Sequence, residues 1–226
     1  MIIRTLATVA VAGLFSTSVM AQSAGDWLVR VGLGHVNPDT SSGNLFEGGT
    51  ELEGVQIDVD SNTRPIVNLT YMATDHLGFE VLAAWPFDHD INGAGALDGA
   101  GKLGDTKHLP PTFSLQYHFM PGAPFRPYAG IGLNYTTFFS TGTTATLEGA
   151  LGGPSSMSIK DSFGVALQLG ADFDITDTLF FNVDLRYIEI EADARIKTQT
   201  ADGEVRSQIK ADIDPFVFSA GIGFRF

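Results

Sequence analysis

The side chains able to do chemistry in this chain are scattered. His89, His108 and His118 share one stretch, yet no two of them have the spacing of a metal-binding motif, and histidines so placed are expected to be solvated. Serines, aspartates and histidines occur without a recognisable nucleophile motif, so no catalytic residue, metal or cofactor is predicted, with catalysis on lipids or proteins kept only as an alternative. Cysteine is absent, which excludes disulfides, thiol chemistry and cysteine-ligated metals. The acidic run Glu47, Glu51, Glu53, Asp58 and Asp60 has the ligand chemistry for divalent cations shared with a charged surface, although a solvated acidic loop explains it equally. With 13 Lys and Arg against 26 Asp and Glu, a formal charge of -13, the chain has no basic excess to neutralise phosphates, and nucleic acid is excluded as a partner.

The elements that must position these residues begin after the first segment. Arg4, the apolar run from Leu6 to Phe15, and Val19 and Ala21 at the positions read by a signal peptidase predict a secretory signal over residues 1–21, leaving a mature chain over 22–226. No later stretch supplies the roughly 20 continuous apolar residues of a spanning helix. Instead, residues 27–36, 64–73, 77–85, 112–119, 128–135, 163–173, 181–187 and 216–226 alternate apolar with small or polar residues, separated by Gly, Pro, Asp and Asn. Leu77, Phe79, Val81, Ala83 and Trp85, for example, oppose Gly78, Glu80 and Leu82.

Eight such strands fit a soluble sandwich or lipocalin-like barrel with its apolar face inward. Three features favour the inverse arrangement. The faces opposite the apolar ones carry glycine rather than the Lys and Glu of a watered surface, which suits a crowded lumen. Connections are short after Ala73, Phe119 and Phe173 but long over 37–63, 88–109, 140–161 and 191–213, the asymmetry between periplasmic turns and extracellular loops. Trp27, Tyr71, Trp85, Phe119, Phe173 and Phe226 fall at strand ends, where aromatic girdles lie. The predicted fold is therefore all-β: an eight-stranded antiparallel transmembrane barrel with long extracellular loops and short periplasmic turns. Leu45, Phe46, Leu52, Leu97, Leu103, Leu147 and Leu151 then either wall an extracellular funnel or simply pack the loops together.

The end of the chain, Ser219-Ala220-Gly221-Ile222-Gly223-Phe224-Arg225-Phe226, has the polar, glycine and alternating-aromatic pattern of a terminal outer-membrane strand. The stretches Thr70 to Asp75, Glu80 to Ala84 with Pro86-Phe87, His108 to Thr112, Arg126 to Gly130 with Asn134-Tyr135-Thr136, and Asp212 to Phe216 resemble the OmpW/AlkL family over the whole mature chain. That resemblance implies an outer-membrane barrel of a Gram-negative bacterium, exported through the periplasm. It also implies recognition of the last strand by the barrel-assembly machinery through Gly221, Phe224 and Phe226. Outer-membrane lipid and lipopolysaccharide are the implied surroundings. The implied function is passive uptake of small hydrophobic solutes that leave sideways through the barrel wall.

Physical reasoning supplies sites for such a route. An eight-stranded barrel is just wide enough for its own side chains, so a wide aqueous pore is excluded. Pro86, Pro110 and Pro111 each remove a ladder donor from adjacent strands, which makes them lateral-opening candidates. Parity puts Leu82 and Arg186 in the lumen at mid-depth, and the resemblance implies an apolar constriction at this level, with Leu82 in the matching motif. Arg186 departs from an all-apolar gate; pairing with Asp184 or Glu80 would relieve its cost, and these four residues are the lumen gate candidates. Two alternatives stay open: a structural or surface-interaction barrel with a closed lumen, and a channel for amphipathic or polar solutes.

Overall fold

The computed structural model describes residues 22–226; the signal segment expected over 1–21 lies outside the described residues. The first nine strands are β1 (Trp27–Asn37), β2 (Ser41–Ser42), β3 (Leu45–Glu47), β4 (Thr50–Leu52), β5 (Val55–Val59), β6 (Asn62–Met72), β7 (Leu77–Ala84), β8 (Phe87–Gly95) and β9 (Lys102–Leu109). Then come β10 (Thr112–His118), β11 (Phe125–Thr143), the short helix α1 (Ala145–Leu151), β12 (Ser155–Ile159), β13 (Ser162–Asp174), β14 (Leu179–Ile188), β15 (Glu191–Thr200), β16 (Gly203–Asp212) and β17 (Phe216–Arg225).

Eight of these close a barrel, in the order β10, β7, β6, β1, β17, β14, β13, β11, with β11 returning to β10. All the pairings are antiparallel, and every predicted strand is present. The start of the first barrel strand and the close of the last meet at one rim, where the amides of Trp27 and Phe226 each donate to the other's carbonyl. Turns at that rim are short, over residues 73–76, 119–124 and 175–178. At the β1–β17 closure Gly32 faces Gly221, and a Cβ on Gly32 would sit 2.2 Å from the Ala220 carbonyl oxygen. Only glycine permits backbones to approach so closely.

The apolar alternation faces outward. Val31, Leu33, Phe79, Val81, Phe113, Leu133, Phe163, Leu169, Phe218 and Ile222 are all exposed, the reverse of a soluble barrel. Aromatic pairs such as Trp27–Tyr71, with ring centroids 5.0 Å apart, lie at the rim, where an amphipathic ring meets the membrane–water boundary.

The long connections differ from loops. β11 runs well past its partner β10 and takes up β9, then β8 and β5, extending the wall on one side, while β12, β15, β16, β3 and β4 build a second sheet opposite. These strands alternate like the barrel strands but turn their apolar side inward, because they stand above the hydrocarbon and face water. Two apolar clusters fill this extension. Val36, Ile66, Phe87, Ile188, Ile190, Ile213 and Val217 form the inner one; Leu45, Leu103, Leu147, Leu151, Ile196 and Ile209 form the outer one.

Candidate functional site

The barrel interior is layered, and its lower half is polar. Arg30 Nε and Nη2 donate to the two carboxylate oxygens of Asp172 at 3.0 and 2.8 Å, and its Nη1 donates to Thr70 Oγ1 at 2.8 Å. Arg186 Nη2 lies 2.7 Å from Glu80 Oε1, and its Nε lies 2.7 Å from Asp184 Oδ1. Gln116 donates to Glu80 Oε2 at 2.8 Å, Gln168 to Asp184 Oδ2 at 2.6 Å, and the Tyr128 hydroxyl to the same Asp184 oxygen at 2.9 Å. Tyr128 reaches that position by lying over Gly170, where a Cβ would meet its ring at 2.4 Å. Every carboxylate oxygen of Glu80, Asp172 and Asp184 thus has a donor, the condition under which buried charges are tolerated. Below this plug, Leu28, Met72 and Phe180 close the floor.

Leu82 is 4% exposed, and its strand register sets it beside Asn68 and Thr112. The lumen gate candidates therefore divide: Glu80, Asp184 and Arg186 belong to one ion network, while Leu82 lies further along β7 toward the apolar layer.

Above lie two apolar cavities, each of about 40 Å³. The inner one is lined by Val36, Ile57, Phe138, Ile159, Ile190 and Ile213, together with His89, Thr106 and His108. The outer one is lined by Leu45, Leu97, Leu103, Leu147, Met157 and Ile209, and it shares Ile57, Ile91 and Ala194 with the inner. Of the leucines expected in a funnel or in loop packing, Leu45, Leu103, Leu147 and Leu151 pack against one another, with Leu52 and Leu97 against them, around the outer cavity. Phe46 instead is exposed. In the acidic run, Glu51, Glu53, Asp58 and Asp60 are exposed and Glu47 is partly so.

Beside the inner cavity the wall has a seam. β7 and β10 pair from Leu77–Tyr117 to Leu82–Thr112, and pairing resumes in β8 and β9 at Phe87–His108. Between these two ladders stand Pro86 on one side and Pro110-Pro111 on the other, neither able to donate. Pro86 thus falls between two strands rather than inside one. The carbonyls at the seam are held by side chains of neighbouring strands: Arg64 Nε donates to Pro86 O at 3.1 Å, and Asn134 Nδ2 donates to Pro110 O at 3.2 Å and to Pro111 O at 3.3 Å.

The histidines expected to be solvated are buried, which corrects the sequence reading. His118 stacks on Tyr128 inside the barrel. His89 and His108 meet above the seam with their Nε2 atoms 3.2 Å apart. The missed signal was parity: in Phe87-Asp88-His89-Asp90-Ile91 the histidine sits on the apolar side, and in β9 the buried Thr106 and His108 alternate with Asp105 and Lys107. Burial lowers the pKa of His89 and pushes that of His108 down to about 3, helped by the His89 ring beside it, which disfavours a second proton on the pair; both rings are neutral.

A closed eight-stranded barrel with an apolar outer belt, aromatic rim and charged interior is an outer-membrane β-barrel protein. The sequence profile of the OmpW family matches residues 23–226, and the chain belongs to that family. It is 41% identical over 217 residues to Outer membrane protein W of Vibrio cholerae serotype O1, covering 95% of each chain. The crystal structure of the outer membrane protein OprG from Pseudomonas aeruginosa superposes with a TM-score of 0.84 at 38% identity, covering 91% of this chain and 98% of that one. A more distant relative, 26% identical over 200 residues and covering 88% of each chain, is the Dibenzothiophene metabolism operon protein PahQ of Pseudomonas aeruginosa. The protein accordingly resides in the Gram-negative outer membrane.

Proposed function

We propose that the protein gives small hydrophobic molecules passive passage through the lipopolysaccharide leaflet, by way of the two apolar cavities and out through the seam. The observation that carries this reading is the juxtaposition of the inner cavity with the lapse between the two ladders, directly above a plug that blocks the axis. An apolar solute gains nothing from crossing the plug, because the acyl chains beside the seam are already its preferred solvent. Each cavity is small against the roughly 300–1,000 Å³ of a typical ligand pocket, so passage requires the aliphatic lining to swing aside. The relative PahQ, a dibenzothiophene metabolism operon protein, agrees with an apolar cargo. Such a route needs no catalytic group and no cofactor. The surroundings it calls for are lipopolysaccharide outside, lipid at the seam, and the assembly machinery acting on Gly221, Phe224 and Phe226.

The test is solute uptake into vesicles whose outer leaflet is lipopolysaccharide. Wild-type protein is expected to accelerate n-octane entry over empty vesicles. Leu82→Asp, which sets a charge beside the apolar layer, slows it. Replacing Pro110 and Pro111 by Ala and Val restores donors worth about 1 kcal/mol per hydrogen bond and tightens the seam, again slowing entry. A wild type no faster than empty vesicles leaves the closed, structural barrel as the function.

A further inference from the structure

The inner cavity carries one polar feature that its apolar lining does not use. The Asp60 carbonyl can only accept, so the His89 Nδ1 facing it carries the ring proton, and His89 Nε2 is left as a bare lone pair. His108 Nε2, 3.2 Å away, must then be the donor, which leaves His108 Nδ1 as an unprotonated acceptor. That nitrogen has no hydrogen-bond partner, although the residue is only 5% exposed. Around it are carbon surfaces: Phe138 stacks on the ring at 5.9 Å and Phe87 tilts against it at 5.4 Å. Thr106 is the other polar side chain beside the pair, and its hydroxyl reaches only the Lys107 carbonyl, at 3.5 Å.

A buried acceptor left empty in a folded protein calls for a partner. Water is a poor one here, because a buried water needs two to four polar partners and this lining supplies few. A molecule with one hydrogen-bond donor on an apolar body meets both demands at once. We propose that the inner cavity selects hydroxylated hydrophobic solutes, such as alcohols and phenols, over plain hydrocarbons, with His108 Nδ1 accepting the hydroxyl proton and Asp60 and His89 fixing the tautomer that makes it an acceptor. This rests on the apolar route proposed above and assigns its preferred substrate class; Asp60 and His89 are positioning residues.

Two measurements decide it. In vesicles with a lipopolysaccharide outer leaflet, the ratio of 1-octanol to n-octane entry, corrected for empty vesicles, is expected to fall about fivefold in His108→Phe, the worth of one hydrogen bond, while octane entry persists. In wild-type protein labelled with ¹⁵N-histidine and held in lipid nanodiscs, the His108 Nδ1 signal is expected to move on adding 1-octanol and to stay put with n-octane. An unchanged entry ratio in a folded His108→Phe, or a nitrogen signal that answers both solutes alike or neither, overturns the selectivity. If wild type speeds neither solute, the route itself fails, and the nitrogen signal still reports whether the cavity prefers the hydroxyl.

Discussion

Arg186 spans two carboxylates on two strands, donating to Glu80 and Asp184 at 2.7 Å each. Removing it leaves both anions facing a fully enclosed lumen, so Arg186→Met is expected to cost about 3–5 kcal/mol, read as a lower urea midpoint for unfolding from lipid vesicles. Arg186→Lys recovers only part of this, since one ammonium cannot reproduce a fork that reaches both partners. The His108 ring makes a prediction in pH. Its folded pKa of about 3 lies below the ordinary histidine value, so the unfolded form binds the extra proton first, and stability present above pH ~6.5 erodes as the pH falls toward 3. Between pH 6.5 and 4.5 the loss is about 2 kcal/mol, visible as lower amide protection factors in β8 and β9 once the intrinsic pH dependence of exchange is divided out, and His108→Phe abolishes it. Protection factors that stay constant over that range would show that the ring is not neutral and buried.

At the scale of elements, two places decide how the wall behaves. The β1–β17 closure depends on the facing pair Gly32 and Gly221, and Gly32→Val pushes carbon into the Ala220 carbonyl. It is expected to destabilise the barrel by about 1–3 kcal/mol or more, seen as loss of the folded, fast-migrating band on unheated gels. The seam is the opposite case, a closure left unfinished by Pro86 and Pro110-Pro111 and braced by Arg64 and Asn134. The prolines were legible in the sequence, because a missing donor is a property of one residue. Their bracing was not, because Arg64 and Asn134 sit on other strands at positions set by register. The outer strands β8, β9, β15 and β16 fall in spans that the sequence presents as loops, for a related reason. Their alternation is apolar-inward and charged-outward, and the long spans between the eight membrane segments obscured it.

At the scale of the whole molecule, three layers follow one another along the axis: apolar cavities, ion network, apolar floor. The ion network fills a barrel already narrow for its strand number, so steady ion conductance across planar bilayers is expected to be negligible for wild type and to appear when Arg186 and Glu80 are both replaced by alanine. A passive lateral route also predicts octane entry that rises linearly with external concentration and is unaffected by collapsing the proton gradient. Dependence on either gradient or salt would point to a different route. The net charge of -13 sits apart from this path, with Glu51, Glu53, Asp58 and Asp60 exposed on the strands and turns of the extension above the barrel.

The sequence by itself determined what depends on local parity: eight lipid-facing strands, which face of each is apolar, the short turns at one rim, and the family. Alternation with period two is written into adjacent residues, and burial against lipid enforces it. Tertiary structure alone decided which charges pair, since Arg30 meets Asp172 across 142 residues and Arg186 meets Glu80 across 106. It also decided that His89 and His108 face each other and that the inner apolar cavity lies beside the seam. Such contacts arise from the stagger of strands around a closed barrel, and no spacing along the chain specifies that stagger.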